Sequence, residues 1–379
     1  MNAISYKAPI NRAILRWARE SLSIGIDKAA KTAAVKNEVY QQWEEGEALP
    51  TISKLRNLAN LYKRPLAVFF MPQIPEESPL PKDFRPGPIG LDYPLSRKSI
   101  LAIRKAGWYQ SVARDLMKEL AYPVQPPQKI DFQTQSMENI AREIRQLDLD
   151  VQLSWETNWE ALKNWRQYLE DQGIFVFQMS MPVSEVRGFS LLRQDYPPVI
   201  VINSKDSRNG RIFTLFHEYG HILLNQSGIC IPEEIEYRSK VPDQTEHLCN
   251  EFAGNFLVPS QQLLKFAAES PQANLFDLIN DLSKKFVVSQ FVILRRLYAL
   301  KKIDLRSYQR AFGELQKRVK LPGDSGGDFY RNQFAEKGRK FIGLVMEAES
   351  GNTITTSRAL DILGIQLKHY PRLTDMLFH

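Results

Sequence analysis

The chain has 379 residues, 43% of them hydrophobic and 25% charged, which allows two or three packed domains and excludes an intrinsically disordered chain. Its two cysteines, Cys230 and Cys249, are too few for a disulfide framework and form no CxxC pair, so a reducing compartment is expected. The formal charge of +7 is uneven, with eleven Lys and Arg against six Asp and Glu in residues 1–75, and basicity at the front suits an acidic partner such as nucleic acid.

The amino terminus lacks the apolar core of a signal peptide, and no run approaches the ~18 apolar residues of a membrane span. A cytoplasmic protein with no membrane association is expected. Residues 12–71 read as short helices: an apolar stripe at Ile14, Leu15, Trp17 and Ala18, then IDKAAKTAAV, NEVYQQW and TISKLRNLANLY. From Met71 to Pro94 prolines recur too densely for regular structure, which marks a linker. Amphipathic helices follow over 97–121 and 136–148, and the Trp-rich segment from Trp155 starts another that Gly173 should end. The runs IFVFQ, GFSLL and VIVIN are β-branched and aromatic and are separated by turn residues, so they predict a small sheet. After Pro259 the chain returns to helices.

In RIFTLFHEYGHILLNQSG, a helix capped near Asn209 and ended near Gly228 places His217 and His221 four residues apart on one face, where both imidazoles can reach one ion. Glu218 lies about 100° further round, outside the ligand set but beside the open position, where a carboxylate can take a proton from water. An accidental HExxH in a chain of this composition has odds on the order of one in a few hundred, so the match carries weight. A catalytic metal of this kind needs a third protein ligand. In TEHLCNEFAGNFLVP, Cys249, Phe252, Ala253, Phe256 and Leu257 define a buried helix face; Glu246 borders it, whereas His247 and Glu251 point away. Glu246 is therefore the expected third ligand, its alternative role being an N-terminal carboxylate favoured by the helix dipole. Cys249 and Cys230 read as small core residues.

FTLFHEYGHILL and EHLCNEFAGNFLVP resemble the ImmA/IrrE metallo-endopeptidases, whose pattern is FTLxHExGHxxL followed by ExxANxFAxxLxxP. Cys249 replaces the usual Ala of that pattern and Val258 the usual Met; neither position is a ligand. The resemblance implies a zincin-like fold, a divalent ion that is zinc or alternatively manganese, ligands His217, His221 and Glu246, and Glu218 as catalytic base. It also implies an endopeptidase that cuts a transcriptional repressor.

Residues 12–71 separately resemble an Xre/Cro-type helix-turn-helix, with Tyr40, Trp43, Leu55 and Leu58 as its core. Lys28, Lys31, Lys36, Asn37 and Gln41 would then face an operator-like DNA duplex, with Glu38 disfavoured beside phosphates. Lys36 stands where Ser or Thr commonly caps the recognition helix. The whole reads as α+β: an all-α helix-turn-helix domain at 1–75, a proline-rich linker and helical connector at 76–150, a zincin-like metallopeptidase domain at 151–265, and a mainly helical C-terminal region at 266–379. Two functions compete. One is a peptidase that cuts a helix-turn-helix repressor; the other is a transcriptional regulator or antitoxin-like protein with a structural or sensory metal site, partnered by a toxin encoded nearby. A purely structural site has no use for Glu218, which favours the enzyme.

Overall fold

The computed structural model describes residues 7–75, 95–125, 130, 135–230, 244–270, 274–318 and 327–378. The expected proline-rich linker lies, from residue 76 to residue 94, outside the described residues. The chain forms two compact units, Met1–Ile103 and Arg104–His379. No helix is long and apolar enough to cross a membrane, among the described residues.

Among the described residues the first unit is built from helices: α1 (Arg12–Glu20), α2 (Ile26–Thr32), α3 (Asn37–Glu45), α4 (Ile52–Tyr62) and a short 3-10 turn at Leu66–Phe70, with one isolated bridge between Lys7 and Thr51. Asn11 caps α1 by accepting from the Ala13 N–H, and Thr51 caps α4 by accepting from the Lys54 N–H. Lys36 precedes α3 with no side-chain cap, and Gly46 ends that helix in the left-handed conformation. Tyr40, Trp43, Leu55 and Leu58 are buried together. Beneath them the Tyr40 and Tyr62 hydroxyls meet at 2.7 Å, and Glu44 is buried against Arg19 at 2.7 Å. The boundary between units falls within α5 (Arg97–Glu119).

In the second unit α6 (Met137–Ile144), α7 (Leu149–Leu153) and α8 (Asn158–Asp171) precede β1 (Phe175–Met179), β2 (Gly188–Leu191) and β3 (Val199–Asn203). Gly173, at φ +88°, lets the chain leave α8 where a side chain would be strained. Then come α9 (Arg208–Leu223), β4 (Ile229–Cys230) and α10 (Gln244–Leu257). The tail is helical: α11 (Ser260–Glu269), α12 (Leu275–Phe286), α13 (Gln290–Ala299), α14 (Leu305–Arg318), α15 (Phe329–Lys337), α16 (Arg339–Ser350), α17 (Thr356–Leu363) and α18 (Tyr370–Phe378).

The sheet has the order β1-β3-β2-β4; β1 and β3 are parallel, and the β2–β3 and β2–β4 pairs are antiparallel. Its first three strands are buried throughout, because helices cover both faces. Val176, Ile200 and Ile202 face the core shared with α8 and α9, while Phe175 and Phe177 meet Phe341 of α16, and Phe177 also meets Tyr109 of α5. One hydrophobic core runs from Met137 to Leu315. The divisions expected at residues 150 and 265 therefore separate helices that share a single interior.

Trp165 of α8 lies at the centre of this interior, packed edge-on against Trp155 and Phe216 at centroid distances of 5.0 and 4.8 Å. Phe216 in turn stacks on Phe256 of α10 at 4.4 Å. Truncating so large a side chain leaves a cavity that close-packed neighbours cannot fill. Trp165→Ala should cost about 3–5 kcal/mol, read as a lower urea midpoint with an unchanged denaturant slope.

Candidate metal centre

The motif helix begins two residues earlier and stops sooner than its sequence suggests. Ser207, not Asn209, is the cap: its hydroxyl accepts from the Gly210 N–H at 3.0 Å, while Asn209 already lies in the first turn and reaches toward the Val288 carbonyl. At the far end the helix stops at Leu223, five residues before Gly228, because Asn225 takes a left-handed conformation at φ +59°. Between these ends His217 and His221 share the face that meets α10. The two helices come close because Gly220 lacks a side chain: a Cβ there would lie 3.2 Å from both Cα and Sγ of Cys249.

That approach brings Glu246 across from the imidazoles. Glu246 Oε2 lies 3.1 Å from His217 Nε2, Glu246 Oε1 lies 3.1 Å from His221 Nε2, and the two Nε2 atoms are 3.2 Å apart. Tetrahedral donors at ~2.0–2.1 Å from a zinc-sized ion stand ~3.3 Å from one another, so this donor set fits one small divalent cation. His217, His221 and Glu246 could hold it. On the same helix His247 is 79% and Glu251 43% exposed at the side chain, 3.9 Å apart from each other, and Cys249 is fully buried.

Glu218 is buried beside the pair of imidazoles. Its Oε1 accepts from the Cys230 N–H at 3.0 Å, and Oε2 is buried with no hydrogen-bond partner among the described residues. Burial raises its pKa above the ordinary carboxylate range, with His221, His217 and Ser190 pulling the other way. Glu246 behaves oppositely: burial opposes ionisation, but the two imidazoles outweigh it and hold its carboxyl far below the usual range. For His217 burial disfavours the charged form, yet the carboxylates of Glu246 and Glu218, with Asn250, raise it to about 9.

Sequence reasoning did not single out Asn250, whose Oδ1 lies 3.1 Å from His217 Nδ1. Accepting the Nδ1 proton there leaves Nε2 as the metal-facing lone pair. The signal was its place one helical turn after Glu246, on the same face. Cys230 contributes through its backbone amide, which no side-chain pattern reveals. The remaining sequence candidates belong to the first unit: Lys28 and Lys31 on α2, Lys36 before α3, and Asn37 and Gln41 on α3 are all exposed.

The raised His217 value has a thermodynamic consequence. With no metal bound, the imidazolium of His217 contributes stability that is complete below the ordinary value near ~6.5 and is lost as pH rises through about 9. A metal ion must displace that proton. Adding zinc to the metal-stripped chain at pH 7.5 should therefore release about one proton, measured by titration calorimetry in two buffers of different ionisation enthalpy. Affinity should climb with pH and level off near 9; a pH-independent affinity would contradict the arrangement.

No curated protein matches the chain. A family model does match: Peptidase_M78, the IrrE N-terminal-like domain, over residues 169–298. The matched span runs from the end of α8 to the end of α13, and so contains the whole sheet, both site helices and every donor of the cluster. A metallopeptidase family implies a metal ion, which the spacing of the three donors accommodates. Residues 169–298 are thus similar to the metallopeptidase domain of the ImmA/IrrE family.

Proposed function

We propose that the chain is a zinc-dependent endopeptidase that cleaves a helix-turn-helix transcriptional repressor, and that its first unit is a DNA-binding helix-turn-helix module. The observation that carries the peptidase reading is the buried Glu218 carboxylate, with one oxygen anchored and the other free, beside three donors spaced for one ion. A structural metal site needs no such base.

His217, His221 and Glu246 would hold the ion, with manganese as the alternative to zinc. When bound, it supplies Lewis-acid polarisation of the scissile carbonyl and acidifies water. Glu218 takes the proton of the attacking water on Oε2 and delivers it to the leaving amine nitrogen. The Cys230 N–H holds Oε1 throughout, so the carboxylate does not rotate away between the two transfers. The burial that raises the pKa of Glu218 also makes its carboxylate a stronger base.

Glu218→Gln keeps the side-chain shape but cannot accept that proton. Co-expressed with an adjacent-gene repressor, this variant should retain wild-type metal content and cleave at least about a hundredfold more slowly. His217→Ala should lose metal and cleavage together. Cleavage by Glu218→Gln at the wild-type rate would refute the mechanism. If the wild-type chain leaves every candidate repressor intact, the reading becomes a regulator or antitoxin-like protein, and a nearby toxin becomes the partner to test.

The DNA reading rests on five exposed polar residues of a basic segment, Lys28 and Lys31 on α2, Lys36 just before α3, and Asn37 and Gln41 on α3. Such a module acts where DNA is, in the cytoplasm, which agrees with the two free cysteines. Phosphate contacts release counterions, so affinity for promoter duplex should fall steeply with salt. Replacing Lys28, Lys31 and Lys36 together by Ala in the full chain should flatten the logarithmic salt slope by roughly 2–3. An unchanged slope in fluorescence anisotropy would remove these residues from the interface.

A further inference from the structure

The two imidazoles of the site are held by different means. His217 has Asn250 on its distal nitrogen. His221 has nothing comparable: its Nδ1 is buried with no hydrogen-bond partner among the described residues. Against the His221 ring lies the backbone of Gly228. A Cβ placed on Gly228 would collide with His221 Cγ and Cδ2 and would lie 2.7 Å from Nδ1.

Neither partner in that contact can give way easily. Cγ is the ring atom bonded to the His221 Cβ, so turning the ring about χ2 leaves it where it is. Clearing a methyl group requires a different χ1, and a helix allows few of those. Such a change carries Nε2 away from His217 and Glu246. Gly228 is equally fixed: its N–H donates to Ser190 Oγ at 2.9 Å, and its carbonyl accepts from the Ser190 N–H at 2.9 Å. Ser190 is fully buried in β2, and the chain after Gly228 pairs at once with that strand, Phe189 opposite Ile229 and Gly188 opposite Cys230. Gly228 is absent from the glycines with positive φ. The position therefore demands space, not an unusual backbone conformation.

We propose that Gly228 is a positioning residue for His221: the bare glycine lets the β2–β4 rim close on the imidazole and hold its Nε2 toward His217 and Glu246. This rests on the metal-site reading above. Packing by a glycine does for His221 what a hydrogen bond does for His217. It also links the rim that orients Glu218, through Cys230, to the geometry of a ligand.

The test uses the full chain stripped of metal and titrated with zinc against a chromophoric chelator, alongside melting curves with and without zinc. Gly228→Ala should weaken zinc binding by about 10–100-fold and shrink the zinc-induced rise in melting temperature. Gly313→Ala, where an added Cβ meets nothing within 4 Å, should leave both at wild-type values. The decisive comparison places Gly228→Ala in a His221→Ala background. With the ring gone the methyl has room, so the second substitution should change neither the residual zinc affinity nor the metal-free melting temperature. A merely structural glycine would lower stability in both backgrounds. Wild-type zinc affinity in Gly228→Ala would overturn the proposal. Should that single variant fail to fold, recovery in the double variant supports the clash, and its failure there overturns it. If His217→Ala binds zinc as tightly as wild type, the metal-site reading has failed instead.

Discussion

The close approach of α9 and α10 at Gly220 is the constraint on which the site depends. Were a larger side chain there, the helices would stand further apart, and Glu246 would no longer span both imidazoles at 3.1 Å. The aromatic stack of Phe216 on Phe256 and the edge-on contacts of Trp165 draw the same two helices together from behind. Packing therefore sets the donor spacing, and the donors need not find one another in solution. That is preorganisation in its simplest form: the folding free energy of an apolar core holds polar groups where they would not gather by themselves.

Gathering them has an electrostatic cost. Two carboxylates and two imidazoles share a largely buried volume, with Glu246 at its more open side, and unpaired charge is disfavoured there. The pKa shifts show how the protein distributes that cost. Glu246 stays ionised and His217 is driven toward its charged form, while Glu218, with less compensation, is driven toward neutrality. A divalent cation within the triangle would replace the proton on His217 and stabilise both carboxylates. The site is thus balanced for a positive charge at its centre.

Much of this was legible in the sequence, and the part that was not has a physical explanation. The spacing of His217 and His221 follows from helix geometry alone, and the amphipathic pattern of α10 separates Glu246 from His247 and Glu251 because burial and periodicity coincide there. The strand runs were readable because a sheet covered on both faces must be apolar throughout. The Cys230 amide, the Ser190 anchor and the space at Gly228 are backbone or steric features of strand pairing, and residues of any pattern can supply them. Helix ends were misplaced because Ser207 and Asn209 are both good caps and only the fold chooses between them. The single core from Met137 to Leu315 was hidden because the α-helical connector and tail look independent when read segment by segment.

The sheet contributes more than a platform. β4 lies at its edge, next to β2, and the three residues from Gly228 through β4 deliver one bare glycine to His221 and one amide to Glu218. Ser190 of β2 grips that segment from the other side with two hydrogen bonds. A base that must accept and then donate the same proton works best when one oxygen is fixed and the other is free to meet its partner. An edge strand suits that task, because its outward amide is not consumed by a further strand among the described residues. In the proposed mechanism the same rim orients the base and restrains a metal-facing imidazole, so a shift of β4 relative to α9 would act on proton transfer and metal affinity together.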